Sequence, residues 1–313
     1  MTDTKTIRRV AIVGTGVIGA SWASLFLAKG LEVVATDPAP GAEERLRDFI
    51  AGAWPVLTRL GLAPGASPSN LTFTANLAEA LADVDFVQEN GPERVDFKRD
   101  LYRQLDALLP AHVIIASSSS GIMMSEIQPG AVRHPERCVI GHPFNPPHLI
   151  PLVEIVGGAT TSEETIRRAD DFYTSIGQRT LRINREMPGH VANRIQAALA
   201  REIYYLVSEG IVTAEGADTA LSWGPGLRWG VMGAMKLNHL SGGAGGIEHA
   251  LVHLGPAMEG WWKTLGAPQL TPEVVRKLVD SVHAEIGTQS IADLAAERDE
   301  MLVELLELRK KRA

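Results

Sequence analysis

A glycine-rich turn near the start of the chain limits the folds open to it more than any other feature. The apolar run at residues 10–13 leads directly into the sequence G-T-G-V-I-G at residues 14–19. The next segment, residues 20–29, has the apolar spacing of a helix and stops before a glycine. A second apolar run follows at residues 31–36. This order of strand, glycine turn, helix and strand predicts a βαβ unit of a parallel sheet.

The glycine turn has the form that receives the pyrophosphate of a dinucleotide. The first glycine permits the tight turn, the second lets the phosphates approach the backbone, and the third lets the helix pack against the strand. The start of the helix adds unpaired N–H groups and a partial positive charge. Cofactor contacts are therefore predicted from Gly14, Thr15, Gly16, Val17, Ile18 and Gly19. The alternative is a structural turn in an unrelated α/β protein.

The acid at the end of the second strand predicts which dinucleotide is bound. Asp37 stands 18 residues after Gly19, where a carboxylate accepts hydrogen bonds from both ribose hydroxyls of NAD. The same carboxylate would repel the 2′-phosphate of NADP, and Pro38 rather than an arginine follows it. NAD is therefore the predicted cofactor.

The rest of the chain divides into a strand-bearing part and a helical part. A helix is predicted at residues 45–60 despite Pro55, and residues 62–69, rich in Pro, Gly and Ser, are predicted to form a loop. Further buried strands are predicted at residues 86–87, 113–116, 138–140 and 152–156. We therefore predict an α/β domain at residues 1–185, a Rossmann-type, doubly wound and mostly parallel sheet. An all-α domain is predicted at residues 186–313, with a charged last helix at residues 290–312.

Composition excludes several classes of partner. The net charge of −7 provides no basic footprint for nucleic acid, and no apolar run approaches the roughly 18 residues of a membrane helix. The single cysteine, Cys138, excludes an intrachain disulfide and fits the reducing cytoplasm. We therefore expect a cytoplasmic protein with a small-molecule ligand.

Polar residues follow two of the predicted strands, where a buried strand end opens onto a site. Four serines at residues 117–120 follow one strand, and His142 opens the sequence H-P-F-N-P-P after another. Glu154 lies in an apolar run, where a carboxylate is costly unless paired, and His142 is its predicted partner. Such a histidine suits proton transfer near neutral pH, with the carboxylate fixing its tautomer. The alternatives are a core histidine, a structural ion pair and a polar loop.

These motifs resemble those of the 3-hydroxyacyl-CoA dehydrogenase family over nearly the whole chain. The resemblance rests on the serine run, on G-H-P-F-N-P-P, on the glutamate twelve residues after the histidine, and on P-G-H-V-A-N-R at residues 188–194. It implies NAD-dependent oxidation of a 3-hydroxyl to a ketone by a homodimer joined through the helical domain. It also implies site roles: His142 as base, Glu154 as its partner, Ser120 on the substrate hydroxyl, Asn193 completing the site, and Asn145, Glu93 and Lys98 near the cofactor.

A departure from the family pattern bears on the substrate. Members that use CoA thioesters carry a lysine-rich helix after the second strand, whereas residues 49–65 here hold one basic residue, Arg59. Such a segment matches the charge of CoA poorly and favours a small free 3-hydroxy acid. Residues 54–67 and 224–229 look most like the branch that oxidises L-carnitine. L-Gulonate, a 3-hydroxyacyl-CoA such as 3-hydroxybutyryl-CoA, and an idle, crystallin-like NAD-binding protein are the alternatives.

Two residues of the helical domain are candidate substrate contacts. Arg228 has the planar fork that binds a carboxylate, and Trp229 is one of four tryptophans at positions 223, 229, 261 and 262. Tryptophans form cages around quaternary ammonium groups, but they also form cores and dimer interfaces. The alternative for Arg228 is an ion pair. His249 and His253 have a spacing seen in metal sites, but no third ligand is evident, so no metal is predicted.

Overall fold

The computed structural model describes residues 6–311, so residues 1–5 and 312–313, at the ends of the two predicted domains, lie outside it. The strands are β1 (Arg9–Val13), β2 (Glu32–Thr36), β3 (Leu71–Phe73), β4 (Phe86–Glu89), β5 (Ile114–Ser117), β6 (Cys138–Pro143), β7 (Leu152–Gly157) and β8 (Arg179–Ile183). The helices are α1 (Val17–Ala28), α2 (Ala42–Leu60), α3 (Leu77–Ala80), α4 (Val95–Leu108), α5 (Met124–Ile127), α6 (Glu163–Ser175), α7 (Ala192–Ser208), α8 (Ala214–Trp223), α9 (Pro225–Trp229), α10 (Ala234–Ser241), α11 (Gly246–Trp262), α12 (Pro272–Ile286) and α13 (Ile291–Lys310).

All the strands belong to one sheet with the order β3-β2-β1-β4-β5-β6-β7-β8. The neighbours from β3 to β6 pair in parallel, whereas β7 runs antiparallel to β6 and parallel to β8. The order reverses at β1, which lies between β2 and β4, and ligands of such sheets bind at the carboxyl ends of the strands beside this reversal. The predicted Rossmann-type, mostly parallel sheet is confirmed.

Helices cover both faces of the sheet because its central strands alternate between two cores. Val10 and Ile12 of β1 pack with α1, α2 and α6, whereas Ala11 and Val13 pack with α4 and α5 on the other face. Successive side chains of a strand point to opposite faces, so a central strand that is apolar throughout requires both layers. Aromatic residues dominate the first core, where the rings of Trp22 and Phe26 stack with centroids 5.2 Å apart.

Two strands were not predicted from the sequence, and both lie at an edge of the sheet. β3 has three residues, and β8 (Arg179–Ile183) is exposed or half-buried along its whole length. An edge strand buries little of its surface, so it lacks the apolar run that identified the central strands. Helix α2 is confirmed and contains Pro55 within its length.

The described chain forms two compact units. The sheet unit runs up to Asn193 and includes the chain from Ala295 onwards, and the helical unit comprises Arg194–Leu294. The predicted all-α character of the second part is confirmed, while the division at residues 185/186 stays a prediction. The end of α13 belongs to the sheet unit, where Arg59 of α2 bonds to Glu300 at 2.6 Å and Glu307 at 2.9 Å. Among the helices of residues 6–311, none is both long and apolar enough to cross a membrane.

Candidate active site

The glycine turn joins β1 to α1 at the edge of the sheet where the strand order reverses. Gly14 has a φ of +88°, and a Cβ there would lie 2.9 Å from the carbonyl oxygen of Asn90. A Cβ on Gly19 would lie 1.9 Å from the carbonyl oxygen of Gly14, so this glycine permits the helix to pack against the turn. A Cβ on Gly16 would meet nothing within 4 Å. The space over Gly16, at the start of α1, is therefore open to a ligand such as a pyrophosphate.

Asp37, directly after β2, accepts hydrogen bonds from the glycine turn. Its Oδ2 accepts hydrogen bonds from the Thr15 backbone N–H at 2.8 Å and from the Thr15 hydroxyl at 3.2 Å. Its Oδ1 accepts the N–H of Ala39 at 2.9 Å. The cavity beside Asp37, about 710 Å³ in volume, is also lined by Glu43, Glu44 and Asp48, and by Arg47, which is paired with Glu43 at 2.8 Å. This acidic surface suits ribose hydroxyls and opposes an added phosphate, as expected for NAD rather than NADP.

Polar side chains after β4 and β5 form a network along the same edge of the sheet. The Ser118 hydroxyl donates to Asn90 Oδ1 at 2.7 Å and accepts a hydrogen bond from Gln88 Nε2 at 2.8 Å. Asn90 Nδ2 reaches the carbonyl of Val13, and Gln88 Nε2 also approaches the carbonyl of Gly141 at 3.4 Å. The network therefore connects the end of β1, below the glycine turn, with the residue that precedes His142.

Glu93 holds the turn that follows the serines. Its Oε1 accepts hydrogen bonds from the Ser119 hydroxyl at 2.7 Å and from the N–H groups of Gly121 and Ile122 at 2.8 and 3.2 Å. Burial would raise the pKa of this carboxyl, but these bonds and the charge of Lys98 outweigh burial and lower it. Glu93 is thus an anion fixed beside residues 119–122, which we call the serine turn.

Lys98, a predicted cofactor residue, is buried in an ion pair. Its Nζ lies 2.9 Å from both carboxylate oxygens of Glu89 and 3.9 Å from Glu93 Oε2, and its side chain is 1% exposed. Ser117 donates to Glu89 Oε2 at 2.6 Å and completes the cluster. Any influence of Lys98 on a ligand therefore has to pass through Glu93, because its own ammonium is enclosed.

His142 and Glu154 face each other across the antiparallel pair β6–β7. The register places them directly opposite, and His142 Nδ1 lies 2.8 Å from Glu154 Oε2. Both side chains are buried, with exposed fractions of 5% and 0%. Within the described residues, no hydrogen bond engages the other ring nitrogen, Nε2, which remains available for proton transfer.

The second oxygen of Glu154 is also occupied. Oε1 accepts the backbone N–H groups of Val191 and Ala192, each at 2.9 Å. Burial alone would raise the pKa of Glu154, but the bond to His142 and these two N–H groups outweigh it, and the pKa is lowered. A carboxylate held in its charged form fixes the adjacent ring with its proton on Nδ1 and leaves Nε2 as an acceptor.

His190 was overlooked in the sequence analysis and lies at the centre of this arrangement. Its ring is 1% exposed, with its centroid 5.1 Å from that of His142, and its Nε2 donates to the carbonyl of Ser119 at 3.0 Å. Burial, first of all, lowers its pKa and keeps the ring neutral. With a φ of +50°, it precedes the two N–H groups that hold Glu154. His190 therefore positions the serine turn and the Glu154 carboxylate relative to each other.

The remaining predicted site residues of the sheet unit are more accessible. Ser120 is exposed, and it is the one serine of the run whose hydroxyl forms no hydrogen bond within the described residues. Asn193 Nδ2 donates to the carbonyl of Ser120 at 3.3 Å, which brings these two predicted residues together. Asn145, three residues after His142, is exposed.

The polar residues at the end of β4 were not predicted as site residues, although they show the same pattern as the serine run. Gln88, Glu89 and Asn90 are polar residues at the end of a buried strand, as are the serines after β5. The same rule would have included them in the site. His190 lies in the family motif at residues 188–194, but nothing in the sequence around it indicated the left-handed backbone or the contact with Ser119.

Arg228 and Trp229 lie on α9 of the helical unit, and both are exposed. Within the described residues the Arg228 guanidinium forms no ion pair, and the alternative of an ion pair at an interface stays open. The side chains of Trp223, Trp229, Trp261 and Trp262 are 79, 44, 65 and 60% exposed and so do not form a core in one chain. Their contact with a substrate stays a prediction.

Comparison with protein families identifies both parts of the chain. Residues 9–187 match the model described as 3-hydroxyacyl-CoA dehydrogenase, NAD binding domain, and residues 189–293 match that of the C-terminal domain of the same enzyme.

Individual relatives match over nearly the full length. An L-carnitine dehydrogenase of Streptomyces coelicolor is 50% identical over 306 residues, which cover 98% of this chain and 96% of the relative. One of Bacillus cereus is 47% identical and covers 97% and 93% of the two chains. A solved structure titled as a 5-formyl-3-hydroxy-2-methylpyridine 4-carboxylic acid 5-dehydrogenase, an NAD⁺-dependent dismutase, is 33% identical. Its TM-score is 0.82, with 97% and 98% of the two chains covered.

Proposed function

Because the chain belongs to the 3-hydroxyacyl-CoA dehydrogenase family, we propose that it oxidises the 3-hydroxyl of a small free 3-hydroxy acid, with L-carnitine as the favoured substrate. The chain is an NAD-dependent dehydrogenase that acts on a CH–OH group. The names of relatives up to 50% identical over nearly all of the chain support L-carnitine, which would yield 3-dehydrocarnitine. The observation that carries the proposed chemistry is the buried His142–Glu154 pair at the ligand-binding edge of the sheet.

NAD fits the glycine turn and the acid beside it. The open space at Gly16 would receive the pyrophosphate, and Asp37 would accept hydrogen bonds from the ribose hydroxyls. When bound, NAD supplies the acceptor for the hydride that leaves the substrate carbon. Asn145 is proposed to line the nicotinamide side, and Glu93, with Lys98 behind it, to keep the serine turn in place.

We propose that His142 is the general base. Its Nε2 would take the proton of the substrate hydroxyl, and the charge that develops on the ring would be stabilised by the Glu154 carboxylate 2.8 Å from Nδ1. The free hydroxyl of Ser120 would bind the substrate oxygen, and Asn193, bonded to the Ser120 carbonyl, would complete the site. The two N–H groups on Glu154 keep that carboxylate charged throughout the reaction.

The charges of α2 support a free acid over a CoA thioester. Arg59 is bonded to Glu300 and Glu307, Arg47 to Glu43 at 2.8 Å, and Arg45 to the carbonyl of Pro40. Cations that are already paired offer little to the phosphates of CoA, because binding would require breaking the existing bonds. We therefore propose that a thioester is a poor substrate.

Two features of the helical unit fit the proposed ligand and assembly. Trp229 and the unpaired Arg228 would meet the trimethylammonium and carboxylate groups of carnitine, at about 0.5–2 kcal/mol for a cation–π contact. The helical unit also exposes many large apolar side chains, among them Trp223, Met235, Leu240, Leu251, Val252, Trp261 and Trp262. Exposed apolar surface of this extent supports a homodimer formed through these helices. We also propose that the enzyme is cytoplasmic, where a reduced Cys138 and an NAD pool are expected.

The proposal is tested by initial rates of NADH formation over a panel of L-carnitine, D-carnitine, L-gulonate, 3-hydroxybutyrate and 3-hydroxybutyryl-CoA. We expect the highest kcat/KM with L-carnitine and a much lower value with the thioester. Activity on the thioester alone would overturn the free-acid proposal, and preference for L-gulonate would transfer it to that sugar acid. No turnover with any member, together with NADH binding, would favour an idle NAD-binding protein.

A further inference from the structure

A second cavity lies in the sheet unit, on residues that the proposed reaction does not use. It has a volume of about 330 Å³ and is lined by α1, the end of α2, the segment before β8 and the end of α13. Its apolar lining residues include Leu25, Leu57, Leu60, Ile176 and Leu306. Small-molecule pockets begin at about 300 Å³, so a small ligand fits a cavity of this size.

The charged residues of the lining are all cationic. Lys29, Arg179, Arg309 and Lys310 all line the cavity, and none of the residues that line it is acidic. This clustering opposes the overall balance of a chain whose net charge is −7. Glu307, the nearby acid on α13, is bonded to Arg59 and does not line the cavity. Cations that converge from separate parts of the chain without carboxylates between them attract an anion.

Two lining groups lack partners in the protein. Lys29 forms no ion pair or side-chain hydrogen bond within the described residues, although it is half-buried. Burial, and next the charge of Lys310, lower its pKa, so the protein holds this ammonium at a cost. The side-chain oxygen Oε1 of Gln178 is buried without a hydrogen-bond partner, and within residues 6–311 no protein acceptor takes a bond from its Nε2. Its Nε2 can donate to an anionic oxygen, whereas Oε1 is an acceptor and would need a donor from the ligand or from water.

We propose that this cavity binds an amphiphilic carboxylate. The carboxylate head would lie against Lys29, Lys310 and Nε2 of Gln178, and a short hydrocarbon chain would lie against the apolar residues of the lining. The site is separate from the proposed active site, since it is lined by none of the four proposed catalytic residues, His142, Glu154, Ser120 and Asn193. Its ligand is therefore an effector or a cargo and not the substrate.

The test is calorimetric titration of the full chain with octanoate, supported by thermal unfolding. We expect saturable one-to-one binding and a raised midpoint of unfolding. Acetate, which lacks the chain, and 1-octanol, which lacks the charge, should each bind at least about tenfold more weakly. Octylammonium should not bind, because it places a cation among cations.

The deciding variant is Lys29→Met. It removes a half-buried, unpaired charge, so the free protein should be at least as stable as the wild type, and folding is not at risk. Octanoate affinity should fall at least about tenfold, while the kcat for the dehydrogenase reaction stays unchanged. Arg103→Gln, which alters an exposed cation of α4 away from the cavity, is the control and should bind octanoate normally. Two results would overturn the proposal. One is that the wild type does not bind octanoate, and the other is that Lys29→Met binds it as tightly as the wild type, which would place the ligand elsewhere, for instance in the active site.

Discussion

Replacing Glu154 by glutamine tests whether its charge, and not only its shape, serves the histidine. The substitution keeps the volume of a fully buried side chain but makes one end of it a donor. Three N–H groups meet the carboxylate: His142 Nδ1–H on one oxygen, and Val191 and Ala192 on the other. A glutamine that keeps its oxygen on the backbone pair presents its NH₂ to Nδ1. The ring then carries its proton on Nε2, where a base cannot have one.

The size of the effect follows from the lost interaction. A hydrogen bond to a charged group contributes about 1.5–3 kcal/mol, and since 1.36 kcal/mol is tenfold in rate, kcat should fall about 10- to 150-fold. The tautomer with its proton on Nε2 should lower kcat further, because the ring can then no longer accept the substrate proton there. The KM for NAD should change little, because the carboxylate is remote in sequence and function from the glycine turn. The measurement is steady-state NADH formation with L-carnitine at saturating NAD.

Glu164→Gln on the exposed face of α6 is the matched control and should leave kcat unchanged. Retention of wild-type kcat by Glu154→Gln would refute the reasoning, because it would mean that a neutral partner serves His142 equally well. A loss of folding would be visible in the thermal midpoint and is separated by measuring NADH binding to the same sample.

Three further predictions address the turn, the second histidine and the acid limb of stability. Gly16→Val should leave the unfolding midpoint unchanged, because its Cβ meets no protein atom, but it should raise the KM for NAD by filling the space proposed for the pyrophosphate. Gly19→Val should lower the free energy of unfolding by about 3 kcal/mol or more, because its Cβ would overlap the carbonyl of Gly14. His190→Phe removes the bond to the serine turn at a cost of about 1–2 kcal/mol, so kcat should fall about tenfold at unchanged NADH affinity; equal losses in both would indicate general misfolding. Burial lowers the pKa of His148 to about 4, so stability is fully present above its unfolded pKa near 6.5 and falls by up to about 3 kcal/mol as the pH drops toward 4. Urea unfolding from pH 7 to 4 should show a shallower loss for His148→Gln, and parallel curves would contradict the assignment.

Much of the fold was predictable because its central strands are buried on both faces. Runs such as residues 10–13 and 113–116 are apolar throughout, and only a covered parallel sheet accounts for them. The edge strands β3 and β8 carry no such run, so nothing in their residues distinguished them from loops. The end of α13 belongs to the sheet unit and forms long-range ion pairs with Arg59, and no local sequence pattern contains such contacts.

The pairing of His142 with Glu154 was predictable because a buried carboxylate requires a polar partner. A glutamate inside an apolar run demanded a partner, and the structure places His142 directly opposite it. The serines were recognised as a group, but which of them stays free depends on Glu89, Asn90 and Glu93, each of which binds a different hydroxyl. Local sequence does not contain that assignment, because Glu89, Asn90 and Glu93 come from the end of β4 and the loop after it.

The most direct test of the proposed chemistry is the turnover of L-carnitine by His142→Ala, measured beside the wild type, with NADH binding followed by fluorescence. A general base contributes about 10²- to 10⁴-fold, so we predict a kcat lowered at least about 10²-fold with NADH affinity nearly unchanged. A variant that oxidises L-carnitine at close to the wild-type rate would contradict the account.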